Sequence, residues 1–158
     1  MTELRTRRTL IASAPTRLDF GGGWTDVPPF PEERGGFVCN LAIDRRATVT
    51  ICADSSASTH DVSDLPLVNA ALKRAAREAH FPAVQSISLF SDFPVGAGLG
   101  GSSAAGVALA AACAAHQGRV LDAQALAEWS RAVEVEERDR LNGGKVRLAG
   151  GALERRVD

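Results

Sequence analysis

The sequence has 158 residues, 45% hydrophobic, 23% charged and 5% aromatic, which fits one folded domain and excludes an intrinsically disordered chain. With 18 Lys and Arg against 19 Asp and Glu the formal net charge is -1, and like charges do not cluster in long runs, so a surface that tracks nucleic-acid phosphates is not expected. The first apolar stretch, 10–14, is too short for a signal-peptide core or a membrane span, which makes the cytoplasm the expected compartment.

In chain order, segments 10–14, 37–43, 47–53 and 86–90 carry the apolar and alternating patterns of strands; Ser86, Ile87, Ser88 and Leu89 alternate with period two. Asp44, Arg45 and Arg46 are read as a short polar connection between neighbouring antiparallel strands, so a mixed or antiparallel sheet is expected. Cys39, Cys52 and Cys113 show neither CxxC spacing nor a histidine at metal-ligand intervals and are expected to be reduced and mostly buried. Leu65, Val68, Leu72, Ala75 and Ala79 recur at steps of three and four, which predicts an amphipathic helix with Ser63 or Asp64 as its N-cap. The Ala-rich run 102–116, apolar nearly all round and followed by Gly118, predicts a buried helix. A third helix begins after Asp122; Leu126, Trp129 and Val133 mark an inner face that continues to Glu136 and Glu137.

The most informative stretch is Pro94, Val95, Gly96, Ala97, Gly98, Leu99, Gly100, Gly101, Ser102, Ser103, where four glycines lead into the buried helix. Glycines let main chain approach a bulky ligand, and a helix N-terminus offers unpaired N–H groups and the positive end of the dipole, so this is a candidate phosphate site. A Walker A loop is excluded, because no Lys follows Gly101. Gly96, Gly98 and Gly101 also satisfy the dinucleotide pattern GxGxxG, with Asp122 further on, but Pro94 and the lack of a clear second strand argue against that fold. Glycines placed for close helix–sheet packing, with no ligand, remain a further reading.

These residues resemble the PxGxGLGxSSA nucleotide loop of the GHMP kinases. Residues 13–29, which include Arg17, Gly22, Gly23, Trp24, Thr25 and Asp26, are similar to that family's N-terminal substrate motif, and 35–44 agree as well. The GGWTD form is most like the branch containing D-glycero-D-manno-heptose 7-phosphate kinases and L-fucokinases. The resemblance covers about 13–137. It implies an α+β fold of the ribosomal protein S5 domain 2-like type, with a mixed or antiparallel sheet and packed helices, over 1–137, followed by an atypical tail over 138–158. It further implies phosphoryl transfer from ATP, with Mg2+, to a hydroxyl of a sugar or sugar phosphate. On the matching positions Pro94, Gly96, Gly98, Leu99, Gly100, Gly101, Ser102 and Ser103 would hold the nucleotide. Ser102, with Ser103 as the fallback, and Glu136, within an AxxIE-like run, would hold the metal. Asp26, Trp24 and Gly23 would contact the sugar, and Arg17 would support the transferring phosphate.

One departure bears on activity. In the family a Gly-rich turn leads to an Asp, commonly within GKQDQ, that orients the attacking hydroxyl; here Gly143, Gly144 and Lys145 are followed by 146–151 without an acid. Family members also carry a second, C-terminal domain. The expectation is a truncated or catalytically impaired sugar kinase, the alternative a non-catalytic nucleotide-binding or assembly module whose uncovered apolar face would favour homo-oligomers.

Overall fold

The computed structural model describes residues 8–23, 25–26, 29–53, 61–62, 65–82, 84 and 86–136. It is an α+β fold in which a four-stranded sheet, ordered β1-β2-β4-β3, is covered on one face by helices. The elements are β1 (Arg8–Gly21), α1 (Phe30–Arg34), β2 (Cys39–Ala53), β3 (Asp61–Val62), α2 (Pro66–Glu78), β4 (Ser86–Ser91), α3 (Gly101–His116) and a last helix, α4, over 123–136.

The period-two pattern decides which sheet face is covered. Leu10, Ile51 and Ile87 lie in register across β1, β2 and β4, as do Ala12, Val49 and Leu89, and all six belong to the core or pack against it. The intervening rows, such as Ile11, Thr50 and Ser88, face away. β1, β2 and β4 are antiparallel, whereas the two-residue β3 runs parallel to β4.

The expected connection at 44–46 does not exist. β2 runs straight through it, and the ladder shifts from the pair Pro15–Arg46 to the pair Thr16–Ile43, leaving Asp44 and Arg45 in a bulge. The buried Thr16 hydroxyl donates to the Arg45 carbonyl at 2.9 Å and fixes that irregularity. Pro15 is tolerated because β1 is an edge strand and the residue sits at the shift. The hairpin therefore extends well past the helices, to Gly21 and Cys39. Past the bulge Leu18 pairs with Leu41, and both, with Phe20 and Phe37, are exposed.

The other helices follow their sequence signals. α2 starts at Pro66, with Leu65 in the cap position, while the expected caps Ser63 and Asp64 lie outside the described residues. Val68, Ala71 and Ala75 form its buried stripe. α3 is buried nearly all round by Ala104, Ala105, Gly106, Ala108, Leu109, Ala110, Ala112, Cys113 and Ala114, and Gly118 closes it with φ +73°. Asp122 caps α4, its Oδ1 accepting from the Ala125 N–H at 2.8 Å. Small residues along α3 let the sheet, α2 and α4 approach closely. Larger fully buried side chains, Ile51, Leu109, Val49, Val68 and Val133, each contribute about 1.5–3 kcal/mol by leaving water. α1 carried no recognised sequence signal.

Two predictions follow from this packing. The Ser130 side chain occupies the space where a Cβ at Gly106 would stand. Gly106→Ala should therefore lower stability in urea denaturation, overpacking of about 1–3 kcal/mol outweighing about 1 kcal/mol of helix propensity. Adding Ser130→Ala should restore much of the loss, and no loss in the single variant would contradict the contact. Cys113 is the buried cysteine, Cys52 is half-buried and Cys39 is exposed, so the expectation of mostly buried thiols fails at the hairpin end. Burial, helped by the nearby Glu78 charge, pushes the Cys113 thiol up from 9.0 to about 12. Between those values the unfolded chain has lost a proton that the folded chain keeps, so this group's contribution to stability falls as pH rises through that window. Cys113→Ser, which scarcely ionises there, should show a shallower alkaline loss in urea titrations.

Candidate functional site

The loop between β4 and α3 takes its shape from alternate glycines. Gly96, Gly98 and Gly100 have φ of +79°, +71° and +66°, the left-handed conformation that side-chain-bearing residues rarely adopt. Gly100 occupies the N-cap of α3 without any side-chain cap, and the first main-chain bond of the helix is Ala104 N–H to the Gly100 carbonyl at 3.0 Å. The leading N–H groups of α3 thus face an end bare of capping side chains, where the helix dipole favours an anion. A Cβ at Gly101 would lie 2.6 Å from the Phe93 ring, so glycine there lets the loop close onto its own strand end.

Arg17 joins this loop to the hairpin. Its N–H donates to the Leu99 carbonyl at 3.1 Å, and its guanidinium lies against Gly100, where a Cβ would come 3.0 Å from Nη1. Arg17 Nε donates to Asp19 Oδ1 at 2.9 Å. Between the hairpin and the start of α3 lies a cavity of about 240 Å3, whose polar side chains are Thr16, Arg17, Asn40 and Ser103 and whose floor is Ala104 and Val107. Ser103 lines this cavity, while Ser102 is exposed at the first turn of the helix. Arg17 and Ser103, each singled out from the sequence, line this cavity together with Gly100.

The glycine turn that ends β1 is held differently. Thr25 Oγ1 lies 2.7 and 2.8 Å from the Gly22 and Phe37 carbonyls, which share its one hydrogen, and accepts from the Phe37 N–H at 3.0 Å, pinning the turn to the segment that enters β2. Gly23 and Asp26 are exposed on this turn, and neither lines the cavity. Trp24 lies outside the described residues.

α4 presents two acidic stripes with different partners. Trp129, Val133 and Glu136 follow the stripe facing α2: Trp129 Nε1 donates to Glu78 at 2.9 Å, and the Glu136 carboxylate takes Arg74 at 2.9 Å and Arg77 as well. Arg74 also pairs with Glu78 at 2.9 Å and stacks on Trp129, so α4 is clamped to α2 by one charged cluster. Ser130 and Glu134 form the other stripe. Ser130 Oγ donates to the Ser103 carbonyl at 3.4 Å, and one turn later Glu134 Oε1 is buried with no hydrogen-bond partner. The structure thus engages the Glu136 carboxylate with Arg74 and Arg77 of α2, two cations where a metal would otherwise stand. Among the described residues no three His, Cys, Asp or Glu side chains gather as a metal cluster. Glu134 is the acid that periodicity counted from Trp129 passes over, and counting by four from Ser130 would have found it. Asn40 was likewise missed, because its place opposite Asp19 depends on the bulge.

Comparison with known proteins places this geometry. Part of the chain is similar to a bifunctional fucokinase/GDP-fucose pyrophosphorylase of Arabidopsis thaliana, 47% identical over 45 residues, covering 28% of this chain and 4% of that protein. An L-fucokinase/L-fucose-1-P guanylyltransferase of Bacteroides fragilis is 55% identical over 31 residues, 20% of this chain and 3% of the relative. The fold is that of a D-glycero-D-manno-heptose 1-phosphate kinase from Bacteroides thetaiotaomicron, with a TM-score of 0.64 and 24% identity over 79% of this chain and 48% of the other. Mevalonate kinase from Staphylococcus aureus shares it at a TM-score of 0.57 and 18% identity, over 80% of this chain and 45% of the other. The chain spans about half the length of these solved structures and a small fraction of the curated relatives. No helix among the described residues is long and apolar enough to cross a membrane. Residues 66–146, just over half of the chain, match the GHMP kinases N-terminal domain, and the chain belongs to that family.

Proposed function

We propose that this chain is the nucleotide-binding half of a sugar or sugar-phosphate kinase, transferring a phosphoryl group from ATP to a hydroxyl of a small carbohydrate. The observation that carries the reading is the trio of left-handed glycines running into an uncapped α3, with Arg17 packed on the last of them. The family match and the fucokinase and heptose kinase relatives support the substrate class.

Phosphoryl transfer needs positioning and charge neutralisation more than covalent chemistry. In the proposal the main chain at Gly96, Gly98, Leu99, Gly100 and Gly101, entered through Pro94, cradles the nucleotide's phosphates, with the N–H groups of Ser102 and Ser103 directed at them. Arg17 holds positive charge where the loop meets the hairpin and stabilises the charge spread over the transferring group. Asp26, with Gly23 and Trp24 on the same turn, takes hydroxyls of the acceptor. Mg2+, when it accompanies the nucleotide, supplies charge neutralisation. In this reading the Ser102 hydroxyl and an acid of α4 would face it, and Glu134 supports that role better than Glu136, because its oxygen is free while Glu136 is held by Arg74 and Arg77.

A second reading is favoured by one observation: residues 146–151 contain no carboxylate after Gly143, Gly144 and Lys145. A chain that binds ATP without turnover would be a nucleotide-binding or assembly module, and the uncovered Leu18, Phe20 and Leu41 would suit self-association.

Calorimetric titration with ATP, with and without Mg2+, tests both readings. The folded chain should bind ATP, and Ser102→Ala should weaken the Mg2+-dependent part about tenfold, about 1.4 kcal/mol. Glu134→Gln should reduce the Mg2+ dependence, whereas Glu136→Gln should lower thermal stability and leave that dependence in place. A folded chain that does not bind ATP contradicts the kinase reading; binding without phosphorylation of any sugar favours the module.

A further inference from the structure

The glycine loop is fastened to the hairpin at both ends, on opposite sides of the bulge. At its far end the Leu99 carbonyl accepts from the Arg17 N–H at 3.1 Å, and Arg17 pairs with Ala42 beyond the bulge. At its start stands Asp92, one residue past the last ladder pair of β4, Ser91 with Ala47. The Asp92 N–H donates to the Arg46 carbonyl at 3.2 Å, and Arg46 pairs with Pro15 immediately before the bulge.

An antiparallel pair of this kind exchanges two main-chain bonds. Here the second bond, from the Arg46 N–H, ends on the side chain instead, Asp92 Oδ1 at 2.6 Å, so the carboxylate stands in for a main-chain carbonyl. The pair is closed by a bond to an ionised acceptor, which is stronger than a neutral one, while the chain is released to turn at Pro94 rather than continue along β2. Arg46 is steadied from the other side, its Nε donating to Ser13 Oγ at 3.1 Å.

The crown between the two fastenings has little packing of its own. A Cβ at Gly96 or Gly98 would meet nothing within 4 Å, Val95 is 99% exposed, and the Ala97 N–H reaches the Pro94 carbonyl at a long 3.4 Å. Left-handed glycines without neighbours have many arrangements open to them, so the positions of the two ends decide which one the loop holds.

Resting on the kinase reading above, we propose that Asp92 is a positioning residue for phosphate binding: its side chain closes the Arg46 pair, fixes where the glycine loop begins, and with Arg17 sets the span across which the loop's N–H groups are held ready. Asp92 acts through the loop and touches no ligand. The sign of its effect separates this role from simple electrostatics. Removing a carboxylate near a triphosphate would by charge alone favour binding, whereas loss of a preorganised loop weakens it.

The test compares the wild-type chain with Asp92→Ala, Asp92→Asn and Asp92→Glu, by calorimetric titration with a non-hydrolysable ATP analogue and by 15N relaxation of the ligand-free chains. Asp92→Ala should weaken the analogue about tenfold and lower the order parameters of Gly96 and Gly98 to below about 0.6. Asp92→Asn, which loses the charge but keeps the acceptor, should bind the analogue and order the loop as the wild type does. Asp92→Glu keeps the charge but moves it by a methylene, and should resemble Ala; where Asp92→Ala does not fold, Asp92→Glu carries the comparison. Wild-type or tighter binding in Ala and Glu, or Asn as weak as Ala, would overturn the proposal. If the folded wild-type chain binds no analogue, the kinase reading falls, and the order parameters alone then decide whether Asp92 sets the loop: values unchanged in Ala and Glu would overturn that as well.

Discussion

One main-chain hydrogen bond organises this molecule's functional end: the Arg17 N–H to the Leu99 carbonyl, 3.1 Å. It ties an edge strand, beyond the cover of the helices, to the turn from which the central helix starts. Without a partner there, the glycine loop would have three left-handed residues and little to choose among their arrangements. With it, the loop's last turn is set against a guanidinium, and the end of α3 opens beside a cavity whose opposite wall is the hairpin. The bulge at Asp44 and Arg45 serves the same end, since it re-aims the hairpin so that Arg17 and Asn40 face α3.

Behind that end, α3 is built for contact on every side. Its alanines and Gly106 allow the sheet, α2 and α4 to close in, and the price is a helix that contributes few large side chains of its own. The larger groups come from neighbours: Ile51 and Val49 from the sheet, Val68 from α2, Val133 from α4. Orientation of α4 is then set by polar contacts of two kinds. The charged cluster of Arg74, Arg77, Glu78, Glu136 and Trp129 fastens one edge to α2, partly exposed and so of modest energy, while Ser130 rests on the start of α3.

Much of this was legible from residue pattern. The alternation across 47–53 and 86–90, the apolar stripe of α2, the Ala-rich α3 with its Gly118 stop and the Asp122 cap each act locally, and each appears where its signal stands. Features that depend on contacts distant in sequence were not. Asp44, Arg45 and Arg46 look like a turn because a bulge and a turn use the same polar residues; only pairing with Pro15 and Thr16 tells them apart. Glu136 reads as an inner acid by phase, yet α4 has two neighbours, and helical phase cannot say which one a residue meets. The glycine loop was the easiest part of the candidate site to read, because its glycines and serines are contiguous. The cavity beside it was hidden, because its walls come from β1, β2 and α3.

Hairpin end and glycine loop meet at one cavity, and whether they act as one ligand site can be measured. Amide chemical-shift mapping of the isotope-labelled chain on addition of a non-hydrolysable ATP analogue with Mg2+ addresses it directly. Shifts should cluster at Gly96, Gly98, Gly100, Ser102 and Ser103 and extend to Arg17, with Val120 and Ala125, beyond the far end of α3, unmoved. Shifts centred on those far residues, or a loop that stays silent while the analogue binds, would contradict it.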